Sequence, residues 1–355
     1  MVFDKEIALY IARKVLKAFT VIIAITAVVF TIVRVLPGDP YQMWYYHFLQ
    51  QGYPDEIAKS YARRYAAIFY EQLKSVGIDV NKTLPEQFLG YLTHVLRFDF
   101  GYSLTYNTSV TSIILGALPW TIFTVGVALV LQFVIGIAVG MVLAYKRGTK
   151  LDSIASALLM AWRAVPDYVV GLIMVYLVLI YVYHGDITEL QGTMSPDVIT
   201  MLEKEGLNWS NLGVVVRDVL GHAMWPILTY VIVGFAGWAL AMRSSAINVL
   251  GEDYVTVAEA RGLPDRRIAF TYVGRNAVLP LFTSLMICLG YAFGGSMFIE
   301  WLFQYQGMGY WIAYSVWNRE YMVLSGCLLV ESIAVVIAVH LADILYGLID
   351  PRVRG

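Results

Sequence analysis

A charged segment, Tyr254 to Pro280, lies between two long apolar stretches of the chain. The segment and its flanks hold five arginines and four carboxylates: Arg243, Arg261, Arg266, Arg267, Arg275, Glu252, Asp253, Glu259 and Asp265. Basic segments beside membrane spans stay on the cytoplasmic side. A helix that only lies on lipid headgroups would gain little from carboxylates, so the mixed charge favours docking to a cytosolic protein. A basic interfacial helix is the alternative.

Two short helices joined at a glycine are predicted within this charged segment. Asp253 to Arg261 forms the first helix, and Gly262-Leu263-Pro264 ends it, because glycine adopts positive φ and proline cannot continue a helix. The second helix begins after Asp265, a suitable N-cap. Val255, Ala258 and Gly262 share one face. This face of small residues permits close docking into a cleft of another protein.

Ionisable residues inside apolar spans are costly and usually face a cavity or a partner. Arg163 lies near the middle of the predicted span 154–183, and Asp167 follows at i+4 with Pro166 between them. One interpretation is a self-contained Arg163–Asp167 pair on one helix face, which offsets the cost of burial. The other is that Arg163 lines a path and meets a carboxylate or hydroxyl of a passing solute. Glu331, in the last span, has no local partner and is a candidate to pair with Arg163 across the bundle.

The common catalytic and metal-binding patterns do not occur in the sequence. It contains no H-E-x-x-H, no G-x-S-G, no G-x-G-D and no paired cysteines. It also lacks a Walker A sequence, so this chain cannot hold ATP phosphates itself. The five histidines are scattered, and both cysteines lie in apolar stretches, so we expect neither a metal site nor a disulfide. The chain is therefore not expected to be catalytic itself.

The composition is that of a membrane protein. Hydrophobic residues make up 59% of the 355 residues and charged residues only 14%, about half the charged share of soluble domains. A membrane-spanning helix needs about 20 apolar residues. The sequence therefore predicts an all-α polytopic fold with six transmembrane helices: 15–36, 118–145, 154–183, 223–242, 277–299 and 321–346. Glycine pairs at i and i+4, Gly136 with Gly140 and Gly290 with Gly294, predict close helix contacts.

The distribution of charge orients these spans. The short segments predicted inside are rich in Lys and Arg, whereas the outer stretch 183–221 has six acidic and two basic residues. Both termini are therefore predicted to be cytoplasmic. We divide the chain into a cytoplasmic tail 1–14, a first span 15–36, an extracytoplasmic segment 37–117, a five-helix core 118–350 that includes the inner loop 243–276, and a cytoplasmic tail 351–355.

The extracytoplasmic segment after the first span is predicted to be partly helical. Within 55–75, hydrophobic residues recur at helical spacing, which predicts an amphipathic helix: Ile57, Tyr61, Tyr65, Ile68 and Leu73. Such a helix would cap the outer mouth of the bundle or form part of a docking platform.

Motifs along the chain resemble a known family. They are, in order, Leu36-Pro37-Gly38-Asp39-Pro40, Phe98-Asp99-Phe100-Gly101-Tyr102-Ser103, Ala258-Glu259-Ala260-Arg261-Gly262-Leu263, and Phe293-Gly294-Gly295-Ser296 through Glu300. This ordered series resembles the permease subunits of ATP-binding cassette (ABC) importers of the oligopeptide, dipeptide and nickel type. The third motif resembles their EAA loop. The long segment after the first span resembles the first of the two permease types in such importers.

The resemblance implies that the charged segment is a coupling helix seated in a groove of a separate ATPase subunit. Glu259 stands where the family usually has a basic residue, and Gly262 stands at the motif's glycine. The implied coupling residues are Tyr254, Ala258, Glu259, Ala260, Arg261, Gly262, Leu263, Arg266 and Arg267.

The resemblance further implies a solute path between this chain and a second, related permease. The path candidates are Arg163, Asp167, Gly294, Gly295, Ser296, Glu300 and Glu331. The other implied partners are two ATPase subunits that hold ATP and Mg²⁺, an extracytoplasmic substrate-binding protein and the bilayer of the plasma (inner) membrane. No nucleic acid is expected, and no cofactor in this chain itself.

Two alternatives remain at this stage. Importers of the same type carry oligosaccharides or nickel instead of peptides, and the sequence does not choose among them. A secondary transporter or channel is the alternative from another class. Such a protein would need no cytosolic docking helix and would typically show inverted repeats.

We predict that replacing the glycine of the coupling motif, as in Gly262→Ile, uncouples transport while leaving folding intact. A bulky β-branched side chain disfavours the positive φ that a hinge needs. The measurement is solute uptake beside the yield of folded protein. Normal uptake by this variant would show that Gly262 is not a hinge.

Overall fold

The structure, a computed structural model, describes residues 2–35, 39–188 and 190–349. Within them every regular element is a helix, no strand is formed, and the predicted all-α polytopic class is confirmed. The break at Leu36-Pro37-Gly38, Glu189 and the tail 351–355 lie outside the described residues. The helices are α1 (Val2–Val35), α2 (Pro40–Gln50), α3 (Asp55–Ser75), α4 (Leu84–Val95), α5 (Val110–Tyr145), α6 (Lys150–Arg163), α7 (Asp167–Tyr181), α8 (Pro196–Glu205), α9 (Leu212–Leu250), α10 (Asp253–Ala260), α11 (Asp265–Arg267), a π-helix (Ile268–Gly274), α12 (Arg275–Tyr291), α13 (Met297–Leu302), α14 (Met308–Asn318) and α15 (Tyr321–Ile349).

Five of these stretches are long and apolar enough to cross a membrane: Leu9–Val35, Val110–Tyr145, Leu212–Leu250, Asp265–Tyr291 and Tyr321–Leu341. The pair α6 and α7 raises the number to six if the two helices count as one span. Several helices extend beyond the apolar stretches from which we predicted them. Backbone hydrogen bonding continues the helices into their polar flanks, and the length of an apolar stretch does not predict this extension.

The third predicted span is broken, and this corrects one inference from the sequence. α6 ends at Arg163, α7 begins at Asp167, and the two helices are bent by 92°. Pro166 is the N-cap of α7, and a proline disfavours helical backbone in the residue before it. Arg163 and Asp167 therefore do not lie one turn apart on one helix face. No ion pair joins them in the described structure, so the self-contained pair is wrong.

The chain divides into two compact units, residues 1–117 with 311–355 and residues 118–310. In the first unit, α1 and α15 pack together, and Lys14 Nζ lies 2.6 Å from Asp343 Oδ2. Glu320 is buried at the start of α15. Its carboxylate accepts hydrogen bonds from Ser103 Oγ at 3.1 Å and from the backbone amides of Leu104 and Thr105. One buried acid thus fixes the loop that leads into α5.

The outer helix α3 has the predicted bounds, Asp55 to Ser75, but its buried face differs from the predicted one. The buried positions are Ala58, Ala62, Ala66, Phe69 and Leu73, whereas Ile57 and Tyr61 are exposed. The alanines let α2 approach closely, and its Trp44 and Phe48 fill the contact. The spacing of the large apolar side chains predicted the helix correctly. The buried residues are alanines instead, because the bulky Trp44 and Phe48 of α2 leave room only for small side chains.

In the second unit, α5 and α9 pack at the predicted glycine pair. A Cβ atom at Gly136 would lie 2.3 Å from Trp238 Cβ, and one at Gly140 would lie 2.3 Å from the carbonyl oxygen of Ala239. Such distances are impossible for real side chains, so the two backbones approach each other because these residues are glycines.

We predict that Gly140→Leu destabilises the protein by at least about 1–3 kcal/mol, the usual range for overpacking. The leucine must push α9 away, because the nearest atoms are the backbone of Ala239 and Arg243 and the Cβ of Met242, none of which can move without the helix. The measurement is the thermal unfolding temperature of the protein in detergent. Gly126→Leu on the same helix is the matched control, since a Cβ there meets nothing within 4 Å. Equal unfolding temperatures for the two variants would contradict the close approach.

Candidate functional site

The charged segment forms the predicted pair of elements around Gly262. α10 runs from Asp253 to Ala260, and Gly262 has a φ of +71°. The amide of Gly262 donates to the carbonyl of Glu259, and the amide of Leu263 donates to the carbonyl of Ala258. These two bonds form a Schellman motif, which requires the left-handed conformation that glycine adopts without strain. The helix and its glycine stop are confirmed.

The element after Gly262 differs in detail. Pro264, and not Asp265, is the N-cap, and Asp265 is the first residue of α11. α11 passes directly into the π-helix Ile268–Gly274 and then into α12, so that Asp265 to Tyr291 forms one candidate span. π-helical turns are rare and occur often at functional sites. The charged segment is therefore continuous with a membrane-crossing helix.

The small-residue face of α10 is buried against its own unit. Val255 and Ala258 are 0% and 2% exposed and pack in one cluster with Met242, Ile268 and Val273. The expectation that this face docks into another protein is wrong, because α9 and the π-helix already cover it. Ala258, one of the predicted coupling residues, is therefore an anchor of the segment and not part of its exposed surface.

The opposite face of the segment is exposed. It carries all the remaining predicted coupling residues except Leu263, which is half-buried. The face consists of Tyr254, Glu259, Ala260, Arg261, Gly262, Arg266 and Arg267. Val257, 49% exposed, also belongs to it and was missed, because an apolar residue carries no charge signal. No ion pair within the described part of the chain involves its three arginines. We call this set the coupling surface.

Arg243 does not belong to the coupling surface, although the sequence grouped it with the other arginines. Its guanidinium binds the buried carboxylate of Asp152 with both arms, Nε to Oδ1 at 2.6 Å and Nη2 to Oδ2 at 2.7 Å. The amide of Gly148 also donates to Asp152 Oδ2. A bidentate pair of this kind is strong and directional. It fastens the start of α6 to α9, and no spacing in the sequence links two residues so far apart.

Five predicted path residues, Asp167, Gly294, Gly295, Ser296 and Glu300, lie in or beside one polar cluster of the second unit. Asp167 Oδ2 accepts a hydrogen bond from Ser296 Oγ at 2.9 Å. The amide of Ser296 donates to the hydroxyl of Tyr230 at 2.8 Å, and that hydroxyl lies 3.5 Å from Glu300 Oε1. Tyr230 is thus the link between the two carboxylates. Tyr230 was not among the predicted residues, because a tyrosine in an apolar span has no distinguishing pattern.

Glu300 is the centre of this cluster and is completely buried. Its carboxylate accepts a hydrogen bond from Thr121 Oγ1 at 3.0 Å and one from the amide of Tyr310 at 3.2 Å. Thr121 Oγ1 in turn accepts from the amide of Met308 at 2.7 Å. Cβ atoms at Gly295 and Gly307 would lie 2.3 and 2.4 Å from the carboxylate oxygens. Glu300 therefore holds the loop between α13 and α14, and its place on a solute path stays a prediction.

The remaining path candidates are placed differently. Arg163 is exposed at the end of α6, next to the bend. Glu331 is half-buried on α15, in the first unit, and its pairing with Arg163 stays a prediction. Among the described residues, no three His, Cys, Asp or Glu side chains are grouped closely enough to hold a metal ion.

Burial controls the protonation of Glu300. α13 lies outside the candidate spans, and removal of its carboxylate from water raises the pKa of Glu300 to about 8. The hydrogen bonds from Tyr310, Thr121 and Tyr230 act in the opposite direction and lower the pKa, but burial outweighs them.

Comparison with known proteins defines the class of this chain. Residues 136–355, more than half of the chain, match the family described as "Binding-protein-dependent transport system inner membrane component". The chain belongs to this family and is a permease subunit of the ABC importer class, which confirms the resemblance stated above. The match includes the coupling surface and Glu300 with Asp167, Tyr230 and Ser296, whereas Thr121 precedes it.

Several proteins are similar to this chain over nearly its whole length. The chain is 27% identical to the dipeptide transport system permease protein DppB of Escherichia coli K12, with 97% of this chain and 98% of that protein covered. It is 25% identical to the oligopeptide transport system permease protein AppB of Bacillus subtilis 168, covering 98% and 99%. It is 26% identical to the peptidoglycan transport system permease protein YejB of Agrobacterium fabrum, covering 97% of each.

We predict that Glu300 makes stability depend on pH. Its folded pKa of about 8 exceeds the ordinary 4.5, so its contribution is complete below pH 4.5 and is lost as pH rises to about 8. Glu300→Gln should remove this part of the pH dependence, measured as the thermal unfolding temperature in detergent between these pH values. Glu203→Gln, at an exposed position of the same unit, should leave it unchanged. Parallel curves for the wild type and Glu300→Gln would contradict the buried acid.

Proposed function

We propose that this chain is one of two permease subunits of an ATP-driven importer of dipeptides or oligopeptides. The observation that carries the proposal is the coupling surface. Three arginines that form no ion pair within the described residues, and an exposed tyrosine, lie on a segment whose other face is anchored in the chain's own core. A secondary transporter has no use for such a surface. The names of the full-length relatives support peptides as the solute.

The buried face of α10 would transmit movement of a bound ATPase subunit to the membrane-crossing helices. A push on the exposed face of α10 moves Val255 and Ala258 against α9 and the π-helix, because these side chains are close-packed. Tyr254 adds a polar link, since its hydroxyl accepts a hydrogen bond from Asn276 Nδ2 at 2.9 Å. Ser245 Oγ donates to the carbonyl of Ala277 at 2.7 Å and joins α9 to α12. Movement of α10 is thereby transmitted to two membrane-crossing helices.

The proposed importer has four further subunits or partners. They are a second, related permease, two ATPase subunits and an extracytoplasmic substrate-binding protein. ATP and Mg²⁺ belong to the ATPase subunits, and this chain holds no cofactor and performs no catalysis. Both termini and the coupling surface face the cytoplasm of a cell whose plasma membrane the chain spans, an orientation supported by the Lys and Arg distribution.

The outer segment offers a place for the substrate-binding protein. An open cleft of about 740 Å³ lies between α3 and the loop after Gly101, and aromatic, basic and acidic side chains line it, including Tyr61, Tyr65, Arg64 and Glu71. Exposed tyrosine and arginine are typical of protein interfaces.

The path is proposed to lie between this chain and its sister permease, with Arg163 exposed towards it. The guanidinium forms no ion pair within the described residues, and it stands at the 92° bend between α6 and α7. A peptide presents a carboxylate that an arginine binds with two hydrogen bonds. The Glu300 cluster lies next to the start of α7, where Ser296 donates a hydrogen bond to Asp167.

We predict that the double substitution Arg266→Glu with Arg267→Glu weakens binding of the ATPase subunits by roughly tenfold or more, since like charges across an interface cost several kcal/mol. The measurements are retention of the ATPases during purification and solute-stimulated ATP hydrolysis. Arg147→Glu, an exposed basic residue of the other predicted inner loop, is the control and should retain both. Normal ATPase retention by the double variant would remove the coupling surface from the proposal.

A further inference from the structure

Three of the seven asparagines in the chain begin Asn-x-Ser/Thr triplets: Asn81-Lys82-Thr83, Asn107-Thr108-Ser109 and Asn208-Trp209-Ser210. Such triplets are acceptors for N-linked sugars when they are exposed on the outer side of a membrane. All three lie in the stretches predicted to be extracytoplasmic, 37–117 and 183–221. Neither asparagine of the predicted inner loop, Asn248 and Asn276, begins one.

The side-chain nitrogens of these three asparagines differ from those of most other asparagines in their hydrogen bonding. Among the described residues, Nδ2 of Asn81, Asn107 and Asn208 donates no hydrogen bond, and all three side chains are exposed. Three of the four asparagines outside the triplets use the same atom structurally, on carbonyl or hydroxyl oxygens: Asn211 on Gly206, Asn276 on Tyr254 and Tyr272, and Asn318 on Tyr314. The nitrogen that would be modified is thus free in every triplet.

Two of the triplets are exposed along their whole length. Asn81, Lys82 and Thr83 form the turn that precedes α4. The hydroxyl of Thr83 donates to Glu86 there, as a helix cap, and all three residues of the triplet are exposed. Asn208 to Ser210 form a turn before α9, in which Trp209 is 92% exposed. There the hydroxyl and the amide of Ser210 donate to Asn208 Oδ1 at 2.5 and 3.0 Å, so the hydroxyl is held beside the asparagine amide while Nδ2 faces solvent.

The third triplet is tied into the fold. Thr108 and Ser109 are half-buried, and the carbonyl of Thr108 accepts from the amide of Ser103 at 2.9 Å. Ser109 Oγ accepts from the amide of Ser112 and so caps the start of α5. A transferase must reach the whole triplet, and here two of its three residues are half-buried, whereas every residue of the other two triplets is exposed.

We propose that Asn81 and Asn208 are N-glycosylated on the extracytoplasmic side and that Asn107 is not. In the step, Nδ2 forms a bond to C1 of the first sugar of a polyprenyl-phosphate-linked saccharide. The bond from C1 to the phosphate oxygen breaks, the polyprenyl phosphate leaves with the electron pair, and the amide loses one proton to a base of the transferase. No oxidation or reduction occurs. The two sugars would cover exposed turns of both outer stretches, including Trp209.

The test is mass spectrometry of peptides from the protein purified from its native membrane. Peptides with Asn81 and Asn208 should be heavier by whole sugar residues, and the peptide with Asn107 should have its unmodified mass. Ser210→Ala should abolish the addition at Asn208, whereas Ser210→Thr, which keeps the hydroxyl, should retain it. Unmodified Asn81 and Asn208 in the native protein would overturn the proposal.

The inference rests on the proposed orientation, and a second measurement separates the two. Glu56→Cys in whole cells should react with a membrane-impermeant maleimide, because Glu56 is exposed, belongs to the predicted outer stretch and lies in none of the triplets. Labelling of this cysteine together with unmodified asparagines would overturn the glycosylation alone. Failure to label would overturn both the orientation and the modification that depends on it.

Discussion

The complete burial of one ionisable carboxyl group is the constraint on which the second unit depends. Glu300 is the completely buried acid of α13, and it is tolerable there only because hydroxyl and amide groups are directed at its oxygens. Those donors come from α5 and from the start of α14, so satisfying one carboxylate brings separate parts of the chain together. The glycines at 295 and 307 leave the space that the carboxylate occupies. Glu320 performs the same task in the first unit, where it binds the loop that enters α5.

The coupling surface differs from the Glu300 cluster, because its charged side chains are exposed to water. Arg261, Arg266 and Arg267 remain exposed while the small residues behind them are buried. An exposed charge costs nothing in desolvation until a partner arrives, and the buried face keeps the segment in place meanwhile. Arg243 shows the contrast: half-buried and paired with the buried Asp152, it stabilises the joint between α6 and α9 and is no longer available to a partner. The same residue type thus serves docking or architecture according to its burial.

Much of the helical fold and part of the site could be predicted from the sequence. α3 and α10 were located almost to the residue, since turn residues and helical spacing are local signals. The predictions failed where a neighbour decided the outcome. Burial on α3 went to alanines because α2 is bulky there, and the small face of α10 was covered by α9 and the π-helix. The break at Pro166 removed the expected Arg163–Asp167 pair, because a rule of helix spacing holds only while the helix continues.

The sequence by itself determined the class of protein, the number of apolar stretches and the position of the charged segment, because these depend on composition and on neighbours along the chain. Only the tertiary structure decided which charges are used internally and which are offered to partners. Asp152 with Arg243, and Glu300 with Thr121 and Tyr230, lie far apart in sequence, and nothing local signals that they meet. A buried ionisable group must find its hydrogen-bond partners wherever the fold brings them, and that is a property of packing in three dimensions.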